Sequence, residues 1–96
     1  MKITLSVKKL AIGNGASCFV ANTTGEEMKD LGLELKDETT YDVRFTKKCA
    51  LSLPTEEGAY ELEGDSTEAW EDTRASIGFP TVRINHIENP KFTKLG

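Results

Sequence analysis

The hydrophobic period changes in the middle of this chain, and this change constrains the fold most. Met28, Leu31 and Leu35 recur at helical spacing, whereas apolar and polar residues alternate over 41–45 and again over 49–53. A period near 3.6 indicates a helix, and strict alternation indicates a strand with one buried face. The polar residues between the two alternating runs predict a turn. The sequence therefore predicts a short helix followed by a β-hairpin whose apolar face must be covered.

Two further strands are predicted upstream of the helix. Ile3, Leu5 and Val7 alternate with polar residues, and residues 17–21 form a second short run of strand character. The Gly13-Asn-Gly15 segment between them is a strong turn signal, because glycine tolerates positive φ. A pair of strands joined at this turn is expected.

The predicted helix has recognisable ends. Thr24 is a candidate N-cap, and Glu27 stands three residues later at the capping-box position. Gly32 suits the position just after the last turn. We expect a short helix between these residues.

The second half predicts a strand, a helix and a strand after a loop at 54–58. The strand covers 59–63, and the helix starts at Asp65 with Trp70, Arg74 and Ile77 on one face. The final elements are a strand over 79–87 ended by Asn89-Pro90, and a frayed tail over 91–96. The fold class is therefore predicted as β-rich α+β. The expected single domain, 1–96, has a small barrel or strand–helix–hairpin module at 1–53 and an acidic extension at 54–90.

Charge is divided unevenly along the chain, although the net charge is only −4. Residues 1–25 carry Lys2, Lys8 and Lys9 and no acid, whereas residues 54–73 carry eight acids and no base. Such a division concerns partners more than fold. A nucleic-acid surface is expected near the N-terminus, because phosphate would repel the acidic segment.

The chain shows no motif for catalysis, metal binding or a cofactor. No phosphate-binding glycine loop, nucleophile motif or zinc spacing is present in the sequence. Cys18 and Cys49 lack metal-site spacing and are interpreted as small core residues, and His86 as a strand residue. The absence of an apolar stretch long enough for a membrane span or a signal peptide favours a cytoplasmic protein. We expect a non-enzymatic protein without a cofactor.

The order of elements resembles the swapped-hairpin DNA-binding domains of the AbrB and MazE-type antitoxin families. The resemblance covers residues 3–53. Its matching segments are Ser6-Val-Lys-Lys9, Gly13-Asn14, Met28-Lys-Asp-Leu-Gly-Leu33, the charged corner 34–38 and the run from Thr39 to Leu53. The resemblance implies a homodimer with interleaved strands, DNA contacts from Lys8 and Lys9, and an acidic C-terminal segment that binds a toxin. Lys2 is added to the candidate DNA contacts by its charge.

Two functions follow from these patterns and stay open. The first is an antitoxin-like regulator that binds DNA and a protein toxin. The second is an acidic phage or mobile-element protein that inhibits a host protein by occupying its basic surface. Both use a partner-binding surface around a tryptophan anchor flanked by carboxylates. Its candidate residues are Glu61, Glu63, Asp65, Glu68, Trp70, Glu71 and Asp72.

Overall fold

The five strands of the computed structural model, which describes residues 1–49, 51–72 and 80–95, close into a barrel. The strands are β1 Lys2–Gly13, β2 Ala16–Thr24, β3 Thr40–Phe45, β4 Gly58–Asp72 and β5 Thr81–Lys94. Their order around the barrel is β1-β2-β3-β5-β4. All neighbouring pairs are antiparallel except β3 and β5, which are parallel. The predicted β-rich fold with a small barrel is confirmed, but β4 and β5 from the second half complete the barrel.

The core lies inside the barrel and follows the alternation of the strands. Ile3, Leu5 and Val7 of β1 are each 1% exposed, and the polar residues between them face outwards. Leu62 of β4 and Ile84 of β5 are completely buried in the same cluster. Alternation therefore decides which face of each strand is buried.

A short 3-10 helix, Glu26–Leu31, packs against β1 and β2 and places Met28 in the core. The predicted helix is confirmed, and it ends at Gly32 in the left-handed conformation. The predicted cap is wrong: the N-cap is Gly25, and no side chain caps the helix. Within the described residues, no helix has the length and apolar character needed to cross a bilayer.

Gly25 is needed because the backbone of the following loop passes directly over it. A Cβ at this position would lie 2.2 Å from the carbonyl oxygen of Lys36. The backbone N–H of Gly25 also donates to the carbonyl of Thr39 at 3.1 Å, which fixes the loop in place. A side chain here would therefore push the loop and the helix apart.

Gly25→Ala is expected to lower the free energy of unfolding by about 1–3 kcal/mol, the usual cost of overpacking. Urea unfolding followed by circular dichroism measures this change. Asp30→Ala, at an exposed position of the same helix, is the control and is expected to unfold near the wild-type midpoint. Equal midpoints for Gly25→Ala and the wild type would contradict the close approach.

The predicted hairpin over 41–53 is wrong in its second half. Its first strand is β3, but Lys47–Cys49 form a 3-10 helix and residues 51–54 form no strand. The physical reason is that both edges of β3 are already occupied, one by β2 and one by β5. Cys49 instead enters the core at 5% exposure, as expected for a small core residue, and burial raises the pKa of its thiol.

The helix predicted from Asp65 is also wrong as far as the described residues reach. Strand β4 continues through Asp72, because β5 pairs with it along this stretch. Arg74 and Ile77, two members of the predicted helical face, lie outside the described residues. Pairing with the next strand of the chain therefore overrides the local helical pattern.

Strand β5 also continues past the predicted stop at Asn89-Pro90 and reaches Lys94, so residues 91–94 are strand and not a tail. The register shifts between the pairs Glu63–Lys91 and Asp65–Glu88, and Asn89 has a φ of 52° at this bulge. A bulge accommodates a proline inside a strand, because no ladder N–H is required there.

Candidate nucleic-acid interface

Three large side chains form a row across the outer face of the barrel. Arg44 on β3 is the register partner of Arg83 on β5, and Arg83 is the partner of Trp70 on β4. Register partners project from the same face of a sheet. Their neighbours Val43 and Val82 are buried, so the row itself faces outwards. With strands about 4.8 Å apart, the row spans about 10 Å.

The ends of the row differ in exposure, and its centre is held in place. Trp70 is 42% exposed, and Arg44 is also exposed. The Nε atom of Arg83 donates to a carboxylate oxygen of Asp72 at 2.6 Å, in a half-buried ion pair. This contact fixes the orientation of the guanidinium group, so less side-chain entropy is lost when a ligand binds. Among the described residues, no acid lies within ion-pair distance of Arg44.

Beside Arg44 lies a pocket between β2 and β3. The two strands pair from Thr24–Thr40 to Ala21–Val43 and no further. Beyond this point a pocket of about 430 Å³ opens between them. Its lining combines aromatic and aliphatic side chains with both arginines and one carboxylate. The lining residues are Cys18, Phe19, Val20, Ala21, Asp42, Val43, Arg44, Phe45, Leu51, Leu53 and Arg83.

The strand β2 that lines the pocket continues into a β-hairpin arm, residues 8–17, in which every residue is exposed. Lys8 is the register partner of Val20, one of the residues that line the pocket. The turn at the tip has positive φ at Gly13, Asn14 and Gly15, which confirms the predicted turn. Lys8 at the base of the arm therefore adds one cation beyond Arg44, on the same outer face as the row.

The structure separates the three lysines proposed from sequence. Lys2 lies six residues from Lys8 on β1, about 20 Å away along the strand, and its register partner is Glu63. Lys8 and Lys9 are adjacent, so they project from opposite faces. Only Lys8 is positioned beside the pocket. The backbone N–H of Lys9 donates to the carboxylate of Glu57 at 3.2 Å.

The seven residues proposed for partner binding all lie on β4, but they do not form one patch. Glu61 and Glu63 are in the part of β4 that pairs with β1, whereas Trp70 is in the part that pairs with β5 and with no other described strand. Eleven residues separate Glu61 from Asp72, which is about 36 Å of extended strand. Trp70 has Arg83 as its register partner on β5, and Glu68 and Asp72 stand two positions away from it on β4.

Two carboxylates of this set already have partners inside the protein. Glu68 accepts a hydrogen bond from the side-chain amide of Asn85. The amide oxygen of Asn85 in turn accepts one from the hydroxyl of Thr46 at 2.6 Å. Asp72 holds Arg83, as described above. Both carboxylates therefore order side chains of β5.

Sequence reasoning missed both arginines of the row. Arg44 lies in the predicted strand 41–45 and Arg83 in the predicted strand 79–87, each between two apolar residues. They are 39 positions apart in the sequence, and only the parallel pairing of β3 with β5 makes them neighbours. Their shared signal is a base at an outward position between two buried residues.

The described residues contain no group of three or more histidine, cysteine, aspartate or glutamate side chains that could hold a metal ion. The chain matches no protein-family model, and comparison with curated proteins and with solved structures gives no match. Functional inference therefore depends on the geometry of the row and the pocket.

Proposed function

We propose that this chain is a non-enzymatic protein that binds single-stranded nucleic acid across the row and into the pocket. The observation that carries the proposal is the register that aligns Trp70, Arg83 and Arg44 on one outer face. The name nucleic-acid face is used below for these three residues, Lys8 and the pocket between β2 and β3. This proposal keeps the DNA binding expected from sequence, retains Lys8 of the three candidate lysines, and adds Arg44, Arg83 and Trp70.

The chemistry of the face suits an unpaired strand. Proteins that bind single strands combine a cationic groove for the phosphates with aromatic rings on which bases stack. Arginine serves both purposes, because its planar guanidinium group binds phosphate in a fork and stacks on bases. An exposed tryptophan beside two arginines supplies both interactions within about 10 Å.

A duplex would use the face less well. Its bases are stacked and paired, so Trp70 would have no free base to contact. The acids of β4 would also oppose the second phosphate backbone, since like charges repel. Trp70 and the acids of β4 therefore favour a single strand over a duplex.

Analogy at the level of fold supports the same conclusion. Five-stranded Greek-key barrels include the OB-fold, which binds oligonucleotides and oligosaccharides on its β2–β3 face and with its β1–β2 and β4–β5 loops. The pocket and the arm of this chain occupy the first two of these places. Fold alone does not imply function, and the side chains of the row and the pocket carry the proposal.

The second candidate function is binding of a basic protein partner along β4. It is favoured by the outward carboxylates Glu61 and Glu63, which continue into the exposed Asp65. Either sequence hypothesis, an antitoxin-like regulator or an inhibitor of a host protein, would use this surface. It does not require the arginines of the nucleic-acid face.

The proposal is tested by fluorescence anisotropy with a labelled oligothymidylate of about 12 nucleotides, within the site sizes of such barrels. We expect saturable binding that weakens steeply between about 50 and 200 mM salt, with weaker binding to a duplex of the same length. Absence of binding at the lower salt concentration would contradict the proposal and leave the protein-partner function as the better one.

A further inference from the structure

We infer that this chain associates head to tail with further copies of itself, the β-hairpin arm of one copy pairing with the free edge of β4 in the next. This inference goes beyond nucleic-acid binding, because the contact is between protein strands and needs no nucleic acid. Three features carry it: the edge of β4, the edge of the arm and the opposite charges of the two.

The first feature is an unpaired strand edge. Strand β4 pairs with β1 from Gly58 to Glu63 and, in the described part of the chain, only with β5 from Asp65 to Glu71. No residue that the structure describes pairs with the second edge of β4 over this stretch. An open edge presents unsatisfied backbone N–H and C=O groups and is a template for another strand.

The second feature is the matching edge of the arm. Strand β1 pairs with β4 as far as Val7, and of the residues that the structure describes, only those of β2 continue along it to Gly13. The N–H of Lys9 is taken by Glu57, so the open stretch begins at Leu10. Leu10 and Ile12 are 49% and 64% exposed, which is unusual for large apolar residues at the tip of a hairpin.

The third feature is charge, and it selects the pairing. The arm carries Lys8 and Lys9 and lies within residues 1–25, which contain no acid. The edge of β4 carries Asp65, Glu68 and Glu71 and no base. Lys8 and Lys9 lie at the base of the arm, immediately before its open stretch, so a strand that pairs with the arm ends beside two cations. Pairing of two β4 edges would place acids together. Only arm to β4 joins opposite charges, and it also brings Leu10 and Ile12 to the exposed strand that bears the tryptophan.

Such a contact does not close on itself, because the two surfaces are different. Heterologous contacts lead to open chains or rings, not to a two-fold dimer. An arm that joins β4 of the next copy also lies beside one end of the row. Cooperative binding along a single strand would follow, as is usual for proteins that coat it.

The test is sedimentation velocity of the full chain at low salt without nucleic acid. The arm variant carries Leu10→Ser and Ile12→Ser, and the edge variant carries Asp65→Lys and Glu71→Lys. A control with Glu26→Lys and Glu27→Lys makes the same charge change on the exposed face of the 3-10 helix.

We expect the mass of the wild type and of the control to rise with concentration beyond that of a dimer. The arm variant and the edge variant are each expected to stay monomeric. An equimolar mixture of the two is expected to form a dimer and nothing larger, because it contains one intact arm and one intact edge. Dimer formation in the mixture also shows that both variants are folded.

Three results would overturn the inference. The first is a wild-type chain that stays monomeric at millimolar concentration. The second is an edge variant that still associates alone, which would indicate pairing between arms. The third is a mixture of the two variants that remains monomeric.

Discussion

Replacing Arg44 and Arg83 together by alanine is expected to weaken binding of single-stranded DNA by about a hundredfold. A hydrogen bond to a charged group contributes about 1.5–3 kcal/mol, and 1.4 kcal/mol is a factor of ten, so losing two such contacts at the lower limit gives this factor. The slope of log K against log salt is expected to become shallower by about 1.4, since each contact to a single strand contributes about 0.7. Anisotropy titrations over a range of salt concentrations measure both quantities.

The control for the arginine pair removes the same charge elsewhere. Lys36→Ala with Lys91→Ala takes two exposed cations from positions outside the nucleic-acid face. This variant is expected to bind with nearly wild-type affinity. Arg83 forms an ion pair with Asp72, so its replacement also removes a contact within the protein. Urea unfolding of each variant therefore shows whether weaker binding arises from a loss of stability. If the control and the arginine variant lost the same affinity for single-stranded DNA, the effect would be one of net charge, which would contradict binding at the nucleic-acid face.

Trp70→Ala is expected to weaken single-strand binding by about fivefold to 150-fold, which corresponds to the usual cost of about 1–3 kcal/mol for removing a stacked base contact. The salt slope is expected to stay unchanged, because no phosphate contact is removed. Trp70→Phe is expected to recover much of the affinity, since a phenyl ring still offers a face for stacking. A loss of affinity without a change in salt slope therefore indicates base stacking on Trp70, whereas a change in both indicates a lost phosphate contact.

Leu95→Ala is the matched control for Trp70. Leu95 has the same exposed fraction, 42%, and its backbone N–H, which the substitution retains, donates to the carbonyl of Ala59. We expect no change in affinity for this variant. A Trp70→Ala protein that binds as tightly as the wild type would show that the row is not the binding surface.

The N-terminal strands could be predicted from sequence because their information is local. In β1, Ile3 and Leu5 alternate with polar residues, and one face of the strand is buried, so the pattern and the structure agree. The turn at Asn14 and the helix end at Gly32 were also predictable, since each requires positive φ. These elements need no knowledge of distant partners.

The second half was predicted less well because pairing at long range decides its structure. The segment after Asp65 has capping signals of a helix, yet β5 supplies a partner strand and the segment extends through Asp72. The run after Thr46 alternates like a strand, yet both edges of β3 are occupied, and Cys49 turns into the core. A single sequence does not contain the registers that produce these outcomes.

The candidate site was missed for the same reason. The sequence drew attention to Lys8 and Lys9 by their position in an acid-free segment and to Trp70 by the acids around it. Arg44 and Arg83 had no such context, because the closure of the barrel creates the row. The division of charge along the chain persists in the fold, because Lys8 lies beside the row whereas the acids of residues 61–72 lie on β4.

The most direct measurement of the central claim uses Trp70, the one tryptophan of the chain, as its own reporter. Its fluorescence is recorded while an unlabelled oligothymidylate of about 12 nucleotides is added, and salt is then raised to about 200 mM. We predict that the fluorescence of Trp70 is quenched and that the quenching saturates at the same oligonucleotide concentration as the anisotropy, because a base stacks on the indole. Salt is expected to reverse the quenching, because phosphates contact the adjacent arginines. Binding without any change in Trp70 fluorescence, or no binding at all, would contradict the account.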